Sequence, residues 1–271
     1  MRVVASEIGS FLALGDSFTE GMHDEVDAAG HHRGWADRVA EALAVDRPDL
    51  RYGNLAIRGR LLDQVVAEQI PVARDVRPDL ISFHAGANDL LRPGGDVAGL
   101  LYRYDLAVKR LRATGAEVLL FTVIERAGGT GALADGLARR FQVFNASVRA
   151  TARRRGALLA DIGSEPALHD RRLWHEDRLH LAPAGHARVA AAVLEVLGVR
   201  DPARLGGAPG WWREPLPAPP RSGRRQVLAG DLVWARRHLA PWVGRRLRGA
   251  SSGDGMACKR PGLAPVVHPG D

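Results

Sequence analysis

The sequence predicts an α/β fold, a three-layer α/β/α sandwich built on a five-stranded parallel sheet. Five short apolar runs alternate with helical stretches along the first 200 residues. Those runs are mostly unalternating, as strands covered on both faces must be. The loops between them hold Gly and Pro, as in Arg47-Pro48-Asp49, Arg77-Pro78-Asp79 and Arg92-Pro93-Gly94-Gly95. Strand–helix alternation of this kind implies parallel pairing through right-handed crossovers. A chain of 271 residues is long enough to bury a substantial core.

Taken in order, the first strand is Phe11–Leu14, an apolar run that stops at Gly15-Asp16-Ser17. A helix is expected over Gly34–Ala44 and a second strand over Arg51–Ile57. The next helix, Leu61–Arg74, carries Leu61, Leu62, Val65, Val66, Gln69 and Ile70 on one stripe, with Asp63 and Glu68 off it. Leu80–His84 reads as the third strand, followed by a helix at Val97–Ala113. Val118–Ile124 and Ala157–Ile162 complete the sheet, with helices at Leu137–Arg155 and Ala184–Leu197. After Gly198 the texture changes. Ala208–Pro220 holds two tryptophans and five of the 16 prolines, which suits an extended strap. Gln226–Arg248 turns helix-like again, interrupted by Pro241, and 249–271 is rich in Gly, Ser and Pro and reads as disordered. The expected division is therefore an α/β domain over 1–200, a strap and amphipathic segment over 201–248, and a tail.

Charge supports that division. Residues 1–200 carry 26 basic and 26 acidic side chains, while the remainder carries 12 and 5, so the whole net charge of +7 lies in the extension. Hydrophobic and charged fractions of 46% and 25% are ordinary for a globular protein. No run approaches the roughly 20 apolar residues of a membrane span. The first strand follows the N-terminus too closely for a secretory leader, so cytoplasmic residence is the expectation. The single cysteine, Cys258, reads as an incidental thiol. With neither CxxC nor HExxH present, no metal is expected.

The chemistry-bearing residues sit where the sheet can gather them. A serine leaving the first strand points its hydroxyl into the crevice where open α/β sheets place ligands. A helix N-terminus there offers N–H groups to a developing anion. Alone, Ser17 reads equally as a helix cap. Asp177 and His180, three apart, let one loop supply a base and its orienter, although a turn cap beside a surface histidine has the same spacing. Gly59 follows the second strand and Asn88 the third. A glycine N–H and an asparagine amide are suitable oxyanion donors. The coincidence of all four, each after the correct strand, favours catalysis.

Gly15-Asp16-Ser17, Gly59, Gly86-x-Asn88-Asp89 and Asp177-x-x-His180 together resemble the four blocks of the SGNH, or GDSL-type, hydrolase superfamily, over roughly residues 10–197. Phe18 stands where the name-giving motif has leucine. The resemblance implies a flavodoxin-like sheet of order 2-1-3-4-5 and ester hydrolysis without a cofactor. It also implies that Ser17 is the nucleophile, His180 the base and Asp177 its orienter, with an oxyanion hole from the Ser17 and Gly59 N–H groups and the Asn88 side chain. Acyl transfer, or a catalytically silent binding module, is the alternative. Asp16, Asp89 and His186 are expected to be structural, and His84 to line the pocket. His23, Asp24, His31 and His32 are expected to form a rim or lid, with Arg126–Gly136 a second lid. For the extension, packing of its tryptophans against outer helices is favoured over docking on an anionic membrane surface. Nucleic acid is the weakest partner.

Overall fold

The computed structural model describes residues 5–92, 94–125, 132–218, 230–241, 244, 248 and 251–266, with backbone only for 132–134. Its strands are β1 (Ser10–Gly15), β2 (Arg51–Asn54), β3 (Leu80–His84), β4 (Glu117–Phe121), β5 (Leu158–Ala160) and β6 (Arg260–Pro265). The principal helices are α1 (Ser17–Glu20), α2 (Gly34–Ala44), α3 (Leu62–Glu68), α4 (Ile70–Val76), α5 (Ala87–Leu90), α6 (Val97–Arg112), α7 (Ala132–Arg155), α8 (Pro183–Val196) and α9 (Pro202–Leu205).

The sheet runs β5-β4-β3-β1-β2-β6. Its five N-terminal strands are parallel in the expected order. Alternate residues of β1 feed opposite cores. Phe11 and Ala13 pack with Trp35, Val39 and Val189 from α2 and α8. Leu12 and Leu14 pack with Val65, Tyr104 and Phe144 from α3, α6 and α7. The period-2 geometry of a strand thus explains why β1 carries no polar face.

Two elements depart from expectation. The helix foreseen over Leu61–Arg74 is split into α3 and α4 at Gln69, because Pro71 has no N–H to donate back into the preceding turn. Part of the tail foreseen as disordered is a sixth strand: β6 pairs antiparallel with β2, with Tyr52 opposite Ala264. The composition of 249–271 hid this, since Gly and Pro are tolerated on an edge strand.

The strap is packed, as favoured. Trp212 is buried, and Arg188 of α8 donates to the carbonyls of Trp212 and Glu214, both at 2.7 Å. Beyond it, the chain is helical over 230–241. Trp234, Ala235 and His238 turn inward, while Leu232, Val233 and Leu239 are exposed beside Arg236 and Arg237. Among the described residues no helix is long and apolar enough to cross a membrane.

Candidate active site

Strand order reverses between β1 and β3, and the site lies at their C-terminal ends, the crevice such sheets use for ligands. Gly15 ends β1 at φ +150°, where a Cβ would collide with the His84 carbonyl oxygen. Only glycine lets the chain turn there so sharply into α1. The helix cap is Asp16, whose carboxylate accepts the Phe18 N–H at 3.2 Å. Ser17 is thereby freed from capping and opens the helix.

The Ser17 Oγ–H donates to His180 Nε2 at 3.0 Å, and His180 Nδ1–H donates to Asp177 Oδ2 at 2.6 Å. Asp177 Oδ1 accepts the N–H groups of Leu179 and His180 at 2.9 and 3.1 Å. A third side chain joins them: His23 Nε2 lies 3.1 Å from Asp177 Oδ2. Burial works against charge on Asp177. The hydrogen bonds from His180 and then His23 outweigh it and hold the carboxyl well below the usual carboxylate range. The carboxylate is therefore ionised and His180 carries its proton on Nδ1. That leaves the Nε2 lone pair facing serine, the arrangement a general base requires.

Gly59 sits in the β2–α3 loop at φ +75°, and neither its N–H nor that of Ser17 donates a backbone hydrogen bond among the described residues. Asn88, on α5, donates to Asp16 Oδ2 at 3.2 Å and to the Arg60 carbonyl at 3.1 Å. It ties the three loops together, and serving an oxyanion requires it to exchange one of these acceptors.

The remaining residues of the sequence reading fall into place as supports. His84 is buried rather than pocket-lining. Its Nδ1 lies 3.3 Å from Asp16 Oδ1 and its ring packs on Phe18. Asp89 accepts the Leu62 N–H at 3.0 Å. His186 is buried in α8 and donates from Nε2 to the Met22 carbonyl at 3.1 Å. Asp24 is buried and paired with Arg38 at 2.7 Å, so it belongs to no mobile rim. His31 is exposed and His32 partly buried. Of the second lid, 126–131 lies outside the described residues, and Ala132 onward is helical. Asn145 of α7 is buried, its amide and carbonyl bonded to Val123 and Glu125.

Four side chains that support the site were not assigned to it from the sequence. Gln69 brackets Gly15, accepting its N–H at 2.8 Å and donating to its carbonyl at 2.9 Å. A polar residue on an otherwise apolar stripe was the available signal. His23 had no such signal, because its partner is distant in sequence. Trp234, in the extension, donates from Nε1 to the Asp177 carbonyl at 2.9 Å, and Asp231 pairs with Arg178 at 2.6 Å.

A family model for the GDSL-like lipase/acylhydrolase family matches residues 13–188. The chain belongs to that family. Solved structures agree in fold. TesA is 24% identical with a TM-score of 0.58, covering 69% of this chain and 97% of its own. LAE5, an α/β hydrolase from the metagenome of Lake Arreo, Spain, is 23% identical with a TM-score of 0.57, covering 70% and 95%. Axe2, an acetylxylan esterase from Geobacillus stearothermophilus, is 18% identical with a TM-score of 0.58, covering 73% and 97%. No curated protein matches the chain. The family match ends within α8, so the strap, the helix over 230–241 and β6 all lie beyond it.

Proposed function

We propose that this family member is a serine esterase that cleaves carboxylic esters through an acyl-serine intermediate. The observation that carries the reading is the unbroken hydrogen-bond chain from Ser17 Oγ through His180 to an ionised Asp177. A solved relative of the same fold is an acetylxylan esterase, which agrees with ester chemistry. A binding module would have no use for a serine hydroxyl donated to a histidine of this tautomer.

In the first half-reaction Ser17 Oγ bonds to the ester carbonyl carbon as its proton passes to His180 Nε2. The Ser17 and Gly59 N–H groups, joined by Asn88, receive the negative charge on the former carbonyl oxygen. Collapse breaks the bond to the alcohol oxygen, which leaves with the proton from His180. Water then attacks the acyl-serine and gives its proton to His180. Breaking of the Ser17 ester bond releases the acid, and the proton returns to Oγ. Asp177 stabilises the imidazolium in both halves without itself being protonated.

The test is hydrolysis of p-nitrophenyl esters from acetate to palmitate by the wild type and by Ser17→Ala. Loss of about 10⁶ in kcat is expected for the variant, as in other serine hydrolases stripped of their nucleophile. Turnover that survives the substitution would sink the serine mechanism, and the preferred chain length would size the acyl site.

A further inference from the structure

We propose that His23 is a positioning residue for the catalytic carboxylate. It is a second imidazole that donates to Asp177 Oδ2 and shares that oxygen with His180. The inference rests on the esterase reading, which gives Asp177 its role. Four donors surround the carboxylate: the Leu179 and His180 N–H groups on Oδ1, and the His180 and His23 rings on Oδ2. An ionised carboxylate has about four lone-pair sites, so His23 completes its shell.

The surroundings of His23 are organised to hold that contact. Its backbone is left-handed at φ +67°, a conformation uncommon for a non-glycine residue and concentrated at functional sites. The preceding carbonyl, Met22, is held by His186 Nε2 at 3.1 Å. On one face the ring stacks on His175, with centroids 3.6 Å apart and planes 5° from parallel. His175 accepts the Asp177 N–H on Nδ1 at 3.3 Å, so its proton sits on Nε2, and burial, followed by the field of His23, disfavours a second one. A neutral ring is the appropriate partner for a face-to-face stack with another imidazole. The other titratable rings facing His23 are His180 at 5.3 Å and His32 at 6.0 Å, and the neighbouring Asp24 is committed to Arg38. Among the described residues, Asp177 is thus the carboxylate to which the His23 ring donates.

The consequence is a limit on how strongly Asp177 pulls on the His180 Nδ1–H. With two rings on Oδ2 the negative charge is divided, and the carboxylate cannot rotate away while His180 carries a proton through the cycle. Without His23, the charge on Oδ2 falls on the His180 ring alone, and that oxygen loses one of its two donors.

Two substitutions separate this role from a purely architectural one. His23→Asn tolerates the left-handed backbone, but its side chain is too short to reach Oδ2. His23→Gln places an amide N–H near the Nε2 position. For His23→Asn, kcat is expected to fall about tenfold with KM little changed, the cost of one hydrogen bond to a charged group. The acid limb of its kcat/KM profile should move to higher pH, and the low-field NMR signal of His180 Nδ1–H should move further downfield. His23→Gln should restore all three. An Asn variant with wild-type profile and signal would overturn the proposal, as would a Gln variant indistinguishable from Asn. The NMR signal needs no substrate. If the wild type hydrolysed no ester, the esterase reading alone would fail, and the signal would still decide the role of His23.

Discussion

His186 illustrates how a residue outside the chemistry bears on the site. It is buried, and its Nε2–H holds the Met22 carbonyl next to His23. Burial pushes its pKa down from 6.5 to about 4. Below pH 6.5 the unfolded chain takes up a proton that the folded chain refuses until about pH 4. Stability therefore falls as pH drops through that window and changes no further below it, by a total on the order of 3 kcal/mol. His186→Gln keeps a donor for Met22 but cannot titrate. Its thermal midpoint should fall less steeply between pH 6.5 and 4 than the wild type's, measured by circular dichroism melts across that range.

Among the elements, the α3–α4 break has the clearest purpose. An uninterrupted helix would carry position 69 along a single stripe. The break at Pro71 instead lets the Gln69 side chain meet both backbone groups of Gly15, two residues before Ser17. Gln69→Leu leaves the buried Gly15 N–H without an acceptor, which costs about 1–3 kcal/mol. Urea unfolding should register that loss, and kcat should fall alongside it as the turn carrying Ser17 loosens. Element identity was largely legible in the sequence: Gly34–Ala44 and Leu80–His84 match the observed α2 and β3 to the residue. Apolar periodicity reports burial, and burial in this fold is set by the layers. The functional break was not legible, because it depends on which backbone group lies opposite Gln69 in space.

Across the whole molecule, the extension is woven into the site. Its helix contacts the Asp177–Arg178 loop through Trp234 and Asp231, and its 251–254 turn lies against Gly59, where a Cβ would collide with the Ser251 hydroxyl. Lys259 latches the rest. The side chain is buried, and its three N–H groups are shared among the carbonyls of Glu20, His32 and Arg33 and the Asp37 carboxylate at 2.5 Å. Those carbonyls bracket the loop that carries His23, so the tail and that loop are held by one cation. Lys259→Met should destabilise the fold by up to about 3–5 kcal/mol, because buried Asp37 loses its closer cation and keeps only Arg260, whose Nε lies 3.4 Å from Oδ1. The double variant with Asp37→Asn should recover much of that loss in a denaturation series. Equal loss in single and double variants would mean that the carbonyl contacts, rather than the ion pair, dominate. Half-burial also pushes the Cys258 thiol pKa up, which fits its reading as an unreactive neighbour of this latch.

The sequence by itself determined the layered α/β fold and its five parallel strands, and the resemblance of its four short blocks supplied the strand order and the candidate residues Ser17, Gly59, Asn88, Asp177 and His180. Fold and candidate residues alike are written locally, in apolar runs of strand length or in short motifs. Only the tertiary structure decided that His23 donates to Asp177, that Gln69 grips Gly15, and that a glycine- and proline-rich tail returns as β6 to close the sheet edge beside β2. These contacts join residues far apart in the chain. Nothing in local propensity or periodicity encodes which distant groups will meet; packing of the completed core does.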